Sequence, residues 1–572
     1  LLRSVHPTMK KLKLYSLIIL IALSVSLPVA LAQRKPAHAK TGGMAAAIAN
    51  RGTDTISAAQ LRTYLSFIAS DEMEGRDTPS RGLDTVAKFI ALNLSRWGFK
   101  PAGDDGTFFQ KIALRREQIE ASKSIAEING QKFMVGDDFL PNAVAATMTG
   151  PLVYVGRGWV VQSKNIDDYK GIDVKGKIMV VLAQAPPATQ QELRGAQPGS
   201  VINPPSYAQT HGAKGLITIF NPGVGLPWDV QRQRALQPGR AVVEKFQPQT
   251  AAAPANVAVP SVLIGPKMAT ALFDGEKSDF AAINSRAATA EPVAPFDLNA
   301  NKNVNITIAT APSHAMTQNV VAVWEGSDPK LKDEYVALGA HYDHIGMAGS
   351  GQCQAIGSDT ICNGADDDGS GTTAVFGMAE AISHAKLRPR RSILFVWHCG
   401  EEKGLWGSRY FTDYPTIPLD HVVTQLNIDM IGRSKKPGDT DPRNASLSGP
   451  NDIYVIGSTM MSTELGKLSQ DVNNGYLKLN YDVKYDDPKD PNRFFFRSDH
   501  YNYARKGIPI IFFFDGVHED YHRAGDEPQK IDYDKMERVA RTIYMTLWDV
   551  ANLPSRPKVD KPLPQQLNQR AG

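Results

Sequence analysis

The sequence predicts an α/β fold: a doubly wound, mostly parallel sheet flanked by helices, carrying a small β-rich insert. Three observations lead there. From about residue 300, apolar runs of strand length (335–340, 392–397, 422–428 and 508–514) alternate with helical patterns at 372–384 and 535–552. Strands separated by helices build parallel sheets covered on both faces. Between about 150 and 265, short β-rich runs (151–155, 177–182, 215–220 and 257–264) are broken by Pro-rich loops, the texture of a separate β-rich domain with few long helices. Finally, 572 residues exceed a single unit at roughly 150 residues per domain.

Taken in order, the chain begins with Lys10, Lys11 and Lys13 before an uncharged apolar run over 14–31 that exits through Ala30-Leu31-Ala32. A basic start, an apolar middle and a small-x-small exit are the parts of a secretory signal, with cleavage expected after Ala32. About 18 apolar residues also suffice for a membrane anchor, but Pro28 and the Ala-Leu-Ala exit argue for processing. Gln33 stands where a lipoprotein start needs Cys.

Residues 33–52 are Ala/Gly/Arg-rich and read as a linker. Residues 53–149 open the main domain with helical patterns at 56–70 and 81–97. In the second, Leu83, Val86, Ile90, Leu94 and Trp97 fall on one helical face and Gly98 ends it. The insert is expected over 150–270, a connector over 271–299, the site-bearing part over 300–552, and a loose Pro/Gln/Lys-rich tail over 553–572.

The 63 basic residues outnumber the 59 acidic ones. The first 32 residues hold Arg3, Lys10, Lys11 and Lys13 and no acid, so the processed chain carries 59 of each sign. No basic excess is left for nucleic acid or anionic lipid, and no other stretch is long and apolar enough to span a bilayer. The expectation is an exported, periplasmic or extracellular protein with no stable anchor after processing. Three Cys exclude a disulfide-framework protein.

The strand candidates of the second half end in ionisable groups. "YVALGAHYDH" ends in His341 and Asp343, and "NGADDDGSG" supplies Asp366 in a Gly-rich loop opening a helix. "SILFVWHCGEEKG" ends in Glu401 and Glu402, "VVTQLNIDMIG" in Asp429, and "IPIIFFFDGVHEDYHRAGD" leads to His522. Singly, each reads as a surface pair or as helix N-terminal charge. Together, at strand ends that a doubly wound sheet gathers, they point to a metal site. Carboxylate and imidazole without thiolate suit Zn²⁺, Mn²⁺ or Co²⁺, and five such groups suggest two ions sharing a bridging carboxylate. Successive side chains of an extended segment point in opposite directions. One of Glu401 and Glu402 is thereby free to hold metal while the other faces a water as general base. That is amide hydrolysis chemistry.

Rival motifs fare worse. His518-Glu519-Asp520-Tyr521-His522 matches the H-E-x-x-H single-zinc signature, which needs a helix, yet Gly516, Gly525 and Pro528 surround it. Consecutive Ser498, Asp499 and His500 cannot converge as a triad. The sequence contains no G-x-S-x-G elbow and no phosphate-binding G-x-x-x-x-G-K-[ST] loop.

The order HxD, NGADDDGSG, GEE-x-G, NIDMIG, YH-x₃-D resembles the co-catalytic zinc aminopeptidases, whose relatives include glutamate carboxypeptidase and the transferrin receptor. Residues 150–265, with "DDYKGIDVKGKIMVV", "GAKGLI" and "VPSVLIG", resemble the protease-associated domain inserted in longer members. The resemblance implies two zinc ions per chain. His341 and Asp429 would bind one and Glu402 and His522 the other, with Asp366 bridging and its bond to Asp367 cis. It implies Glu401 as general base and acid, Asp343 orienting His341, Tyr521 donating to the oxyanion and Asp526 orienting His522. Cys353 and Cys362 flank a short loop before Asp366 and are expected to pair in an oxidising compartment. Cys399 then stays unpaired as a buried residue.

The implied activity is removal of N-terminal residues from peptides with a free N-terminus. Three alternatives share the fold. A carboxypeptidase needs clustered cations near the ligands, where Arg433 and Arg497 are available. A glutaminyl cyclase uses one metal, against the full ligand set. A receptor-like binding protein would have lost ligands, and none is missing.

Overall fold

The computed structural model describes residues 48–188, 193, 199–246, 259–286, 293–349 and 352–565. The expected leader, most of the linker and the end of the tail lie outside them. A ten-stranded sheet organises the chain. Its centre is parallel, in the order Ser392–His398, Tyr335–His341, Val422–Ile428, Ile510–Phe514. These are the four apolar runs read from the sequence. Burial of their residues on both faces explains the unbroken apolar pattern. Helix Gly371–Ser383 links Tyr335–His341 to a neighbour on one side, and the following connection crosses to Val422–Ile428 on the other. Tyr335–His341 therefore lies at the switch point where such sheets open a crevice.

The outer strands correct the mostly parallel expectation. Thr310–Trp324 runs antiparallel to Ser392–His398, Phe109–Ile119 antiparallel to Thr310–Trp324, and Asp452–Ile456 antiparallel to Ile510–Phe514. The sheet is mixed. The first half of Thr310–Trp324 alternates in exposure, as half-solvated antiparallel strands do, and so lacks the continuous apolar run that marks a central strand.

Helices Ala58–Ile68, Arg81–Arg96 and Tyr533–Ala551 are each opened by a side-chain cap: Ser57 accepts from the Gln60 N–H, Ser80 from Leu83 and Asp532 from Lys535. The spacing of Leu83, Val86, Ile90 and Leu94 buries all four, worth about 1.5–3 kcal/mol each. No helix of the described residues is long and apolar enough to cross a membrane.

The insert is larger than its composition suggests. Ile119 pairs with Thr310, so the chain leaves and re-enters the main sheet at adjacent positions, and the described strands between belong to the insert, except Val242–Val243, which pairs back onto Phe109–Ile119. A six-stranded sheet has a parallel centre of Leu152–Tyr154, Ile178–Leu182, Gly215–Ile219 and Ser261–Ile264. A four-stranded antiparallel sheet includes Ile125–Ile128 and Val304–Ile308. Both share a core containing Phe133, Phe139, Tyr154 and Phe273. The boundaries are therefore near 120 and 309, not 150 and 270, and the expected connector contributes Phe296 to that core. Short strands such as Gln131–Met134, with one buried residue, leave too little pattern to read.

The described part of the tail is tied down. The Asp560 N–H donates to the Met461 carbonyl, Asp560 Oδ1 accepts from Thr463, and Leu563 packs on the apolar cluster beneath.

Candidate metal centre

The carboxyl ends of the four parallel strands gather the expected groups in one crevice. His341 is the last residue of its strand, Asp429 follows Ile428 directly, Glu401 and Glu402 lie just beyond His398, and His522 follows Ile510–Phe514 by one loop. Backbone hydrogen bonds lock these ends together. Asp368 accepts from the N–H groups of His341 (3.2 Å), Gly371 (2.9 Å) and Met430 (3.1 Å), so its carboxylate is spent on joining two strand ends to the helix start.

One carboxylate stands between the two histidines, and it belongs to Asp367. Its Oδ1 lies 3.4 Å from His341 Nε2 and its Oδ2 3.3 Å from His522 Nε2. Asp429 Oδ1 is 3.6 Å from His341 Nε2, and Glu402 Oε2 is 3.1 Å from His522 Nε2. The expected bridge, Asp366, is turned away. Its Oδ1 accepts from Gly432 N at 2.7 Å and its Oδ2 faces His518 Nε2 at 3.4 Å. The cis bond is correspondingly Asp367–Asp368, not Asp366–Asp367. Three consecutive aspartates look alike in sequence. The left-handed backbone at Gly364 (φ 56°) and the backbone hydrogen bonds that Asp526 accepts decide which one faces the crevice.

Asp526 also takes a different part from the expected one. Its carboxylate accepts the backbone N–H groups of Asp366 and Asp367 at 3.0 and 3.1 Å rather than orienting His522. Asp343 lies where expected: its carbonyl is 3.1 Å and its Oδ1 3.6 Å from His341 Nδ1, and Oδ1 accepts from Glu401 N. Glu401 Oε2 sits 3.9 Å from His341 Nε2. The Tyr521 ring stacks on His522, 4.0 Å between centroids.

Two groups went unread. His344, three residues after His341, places Nδ1 2.9 Å from Glu402 Oε1 and 3.8 Å from Asp367 Oδ2. The "HYDH" spacing carried that signal. Arg76 is fully buried and donates to the carbonyls of Ile68, Tyr342, Asn363 and Gly364. Its charge lies outside every strand-end motif.

Burial penalises each of these charges, and the neighbours overturn the penalty where signs oppose. The imidazoles of His341, His344 and His522 hold Asp367 well below the usual carboxylate range. His344 and His522 bring Glu402 down to about 2. Against burial, Asp367 and Glu402 raise His522 to about 10. Glu401 goes the other way: burial, joined by Glu402 and Asp429 and opposed by His341, pushes it well above its ordinary value.

Asp367 Oδ2, Glu402 Oε1 and His522 Nε2 are buried with no hydrogen-bond partner among the described residues. The ligand atoms of His344, Asp367 and Glu402 lie within 4.8 Å of one another, as do those of His341, Asp368 and Asp429. Orphaned carboxylate oxygens facing imidazole nitrogens fit a divalent cation of the zinc type.

Rival motifs resolve cleanly. Residues 518–522 form turns, not a helix. Ser498 accepts from Asn427, Asp499 lies 3.4 Å from His398, and His500 bonds the Phe495 carbonyl. Cys353 and Cys362 form a disulfide, and Cys399 is free and buried. Burial pushes the Cys399 thiol far up, which makes it a poor nucleophile.

Residues 319–547 match the model of peptidase family M28. Among curated relatives, a probable zinc metalloprotease of Pyrenophora tritici-repentis (strain Pt-1C-BFP) is 26% identical over 265 residues, covering 42% of this chain and 58% of the relative. Leupeptin-inactivating enzyme 1 of Streptomyces exfoliatus is 29% identical over 219 residues, covering 38% and 40%. The chain thus spans about half the length of these relatives. Among solved structures, an aminopeptidase from Aneurinibacillus sp. strain AM-1 shares 18% identity at a TM-score of 0.47, covering 90% of this chain and 98% of that one. The matched residues contain every residue of the crevice described above, from His341 to His522.

Proposed function

We propose that this chain is an exported aminopeptidase that removes N-terminal residues from peptides with two zinc ions per chain, and that its insert is a protease-associated domain. The observation that carries the two-ion reading is Asp367, whose two oxygens each face one histidine, with Asp429 on one side and Glu402 on the other.

His341, Asp367 and Asp429 would hold one ion, and Asp367, Glu402 and His522 the other. Zinc held there would supply Lewis-acid polarisation of a scissile carbonyl and a water acidic near neutrality. Glu401, raised by burial and its acidic neighbours, accepts the proton of the attacking water at its carboxylate and returns it to the leaving amine. Asp343 accepts the Glu401 backbone N–H and stands beside His341 Nδ1, fixing the base relative to the ligand. The half-buried Tyr521 hydroxyl stays protonated, its pKa pushed far up first by desolvation and then by the acids around it, and donates to the developing oxyanion.

Arg433, one of the two cations a carboxypeptidase could have used, is engaged by Glu519, Asp520 and Asp526. The test is a zinc titration of chelator-stripped protein with leucine 4-nitroanilide and its N-acetyl derivative. Activity confined to the free amine and saturating at two equivalents is expected. Turnover of the blocked substrate alone, or activity indifferent to zinc, would refute the proposal.

A further inference from the structure

We propose that Arg497 binds a carboxylate of the substrate, so that preferred peptides carry a negative group within reach of the first residue. This rests on the aminopeptidase reading above.

Arg497 lines the same cleft as Glu401, Asp429 and Tyr521. It is exposed, and its guanidinium lies 5.1 Å over the Phe494 ring. It makes no ion pair and no side-chain hydrogen bond among the described residues. Three other cations near the crevice are committed: Arg433 to three acids, Lys403 to Asp77 at 2.6 Å, and Arg76 to backbone carbonyls. A guanidinium resting on an aromatic face keeps its in-plane N–H donors free, and that fork matches a carboxylate in two parallel bonds.

The rest of the cleft fits such a ligand. Its floor is acidic, with Asp367, Glu401 and Asp429, while Phe512 and Phe514 make an apolar wall. A free N-terminal amine is drawn to the acidic floor. An apolar stem lies along the phenylalanines, and a negative end meets a cleft-lining guanidinium that no acid holds. Two sources supply that end: the side chain of an acidic first residue, or the terminal carboxylate of a short peptide.

Two substrate pairs that differ only in charge separate the sources. They are glutamate against glutamine 4-nitroanilide, and Ala-Ala against Ala-Ala amide, each with wild-type protein, Arg497→Ala and Arg497→Lys under saturating zinc. The kcat/KM ratio favouring the charged member is expected to fall about tenfold in Arg497→Ala and to recover partly in Arg497→Lys. A fall in the first pair alone assigns the side chain, and in the second alone the terminal carboxylate. Calorimetric binding of glutamate against glutamine to the zinc-loaded proteins reads the contact without turnover. A wild type that turns over none of these substrates yet keeps an Arg497-dependent preference for glutamate would sink the aminopeptidase reading and leave the carboxylate contact standing. Ratios unchanged by Arg497→Ala in both pairs and in binding would overturn the inference.

Discussion

Asp526 Oδ2 accepts the backbone N–H of Asp367 at 3.1 Å, and the same carboxylate accepts the N–H of Asp366 at 3.0 Å. One buried acid thereby sets the direction of a loop whose next carboxylate stands between His341 and His522. Asp367→Asn is expected to abolish tight zinc binding at both positions. Asp526→Asn should weaken it 10–100-fold, as changes to groups behind metal ligands do. Asp366→Asn keeps an oxygen for Gly432 N and should retain both ions. Competition against a chromophoric chelator measures all three, and loss of zinc in Asp366→Asn with retention in Asp367→Asn would reverse the assignment.

Glu401 is within 3.9 Å of His341 but outside the pair of clusters that share Asp367. Glu401→Gln should therefore keep the zinc content of the wild type while turnover falls by about 10²–10⁴, the usual contribution of a positioned base. Elemental analysis of the purified variant beside its kcat decides this. A variant that loses metal in proportion to activity would make Glu401 a ligand instead.

The central strands and their end groups were legible because burial on both faces writes an apolar run and the chemistry sits where each run stops. His341, Glu401, Glu402, Asp429 and His522 follow from that rule alone. Asp366 against Asp367 does not, because an acidic triplet carries no mark of which carboxylate turns inward. That choice lies in Gly364, and in an aspartate some 160 residues away. The insert's edges were hidden for a related reason. Ile119 and Thr310 are partners only through their register, and strands of two to four residues have too few positions to show a period.

Arg76 was invisible for the opposite reason: it carries a charge, yet it is fully buried and serves carbonyls. Burial, only partly offset by Asp343, Asp526, Asp367 and Asp368, brings its guanidinium down to about 10, so it stays charged through the neutral range. Four carbonyls, two of them in the loop leading to Asp367, depend on its fork. Arg76→Met should cost about 3 kcal/mol or more of unfolding free energy, and Arg76→Lys, with a point charge in place of the fork, should fall between. Urea unfolding at neutral pH measures both, and a Met variant as stable as the wild type would remove Arg76 from the scaffold of the site.

His500 supplies a pH dependence away from the metal-facing groups. Burial, against the Phe495 carbonyl and Asp499, pushes its imidazole down to about 3, and the ring stacks on Phe512 at 4.5 Å. The unfolded chain titrates near pH 6.5. Between pH 6.5 and 3 the unfolded state therefore binds a proton that the folded state refuses. Stability is lost as pH falls through that window, by up to about 1.4 kcal/mol per unit. Between pH 7 and 5 this amounts to about 2 kcal/mol. His500→Gln keeps a donor for the Phe495 carbonyl and has no such proton to bind, so its stability should fall by that much less over the same interval. Parallel urea titrations of the two proteins at pH 7 and pH 5 read the difference directly. Equal losses in both would mean that His500 is charged in the folded chain.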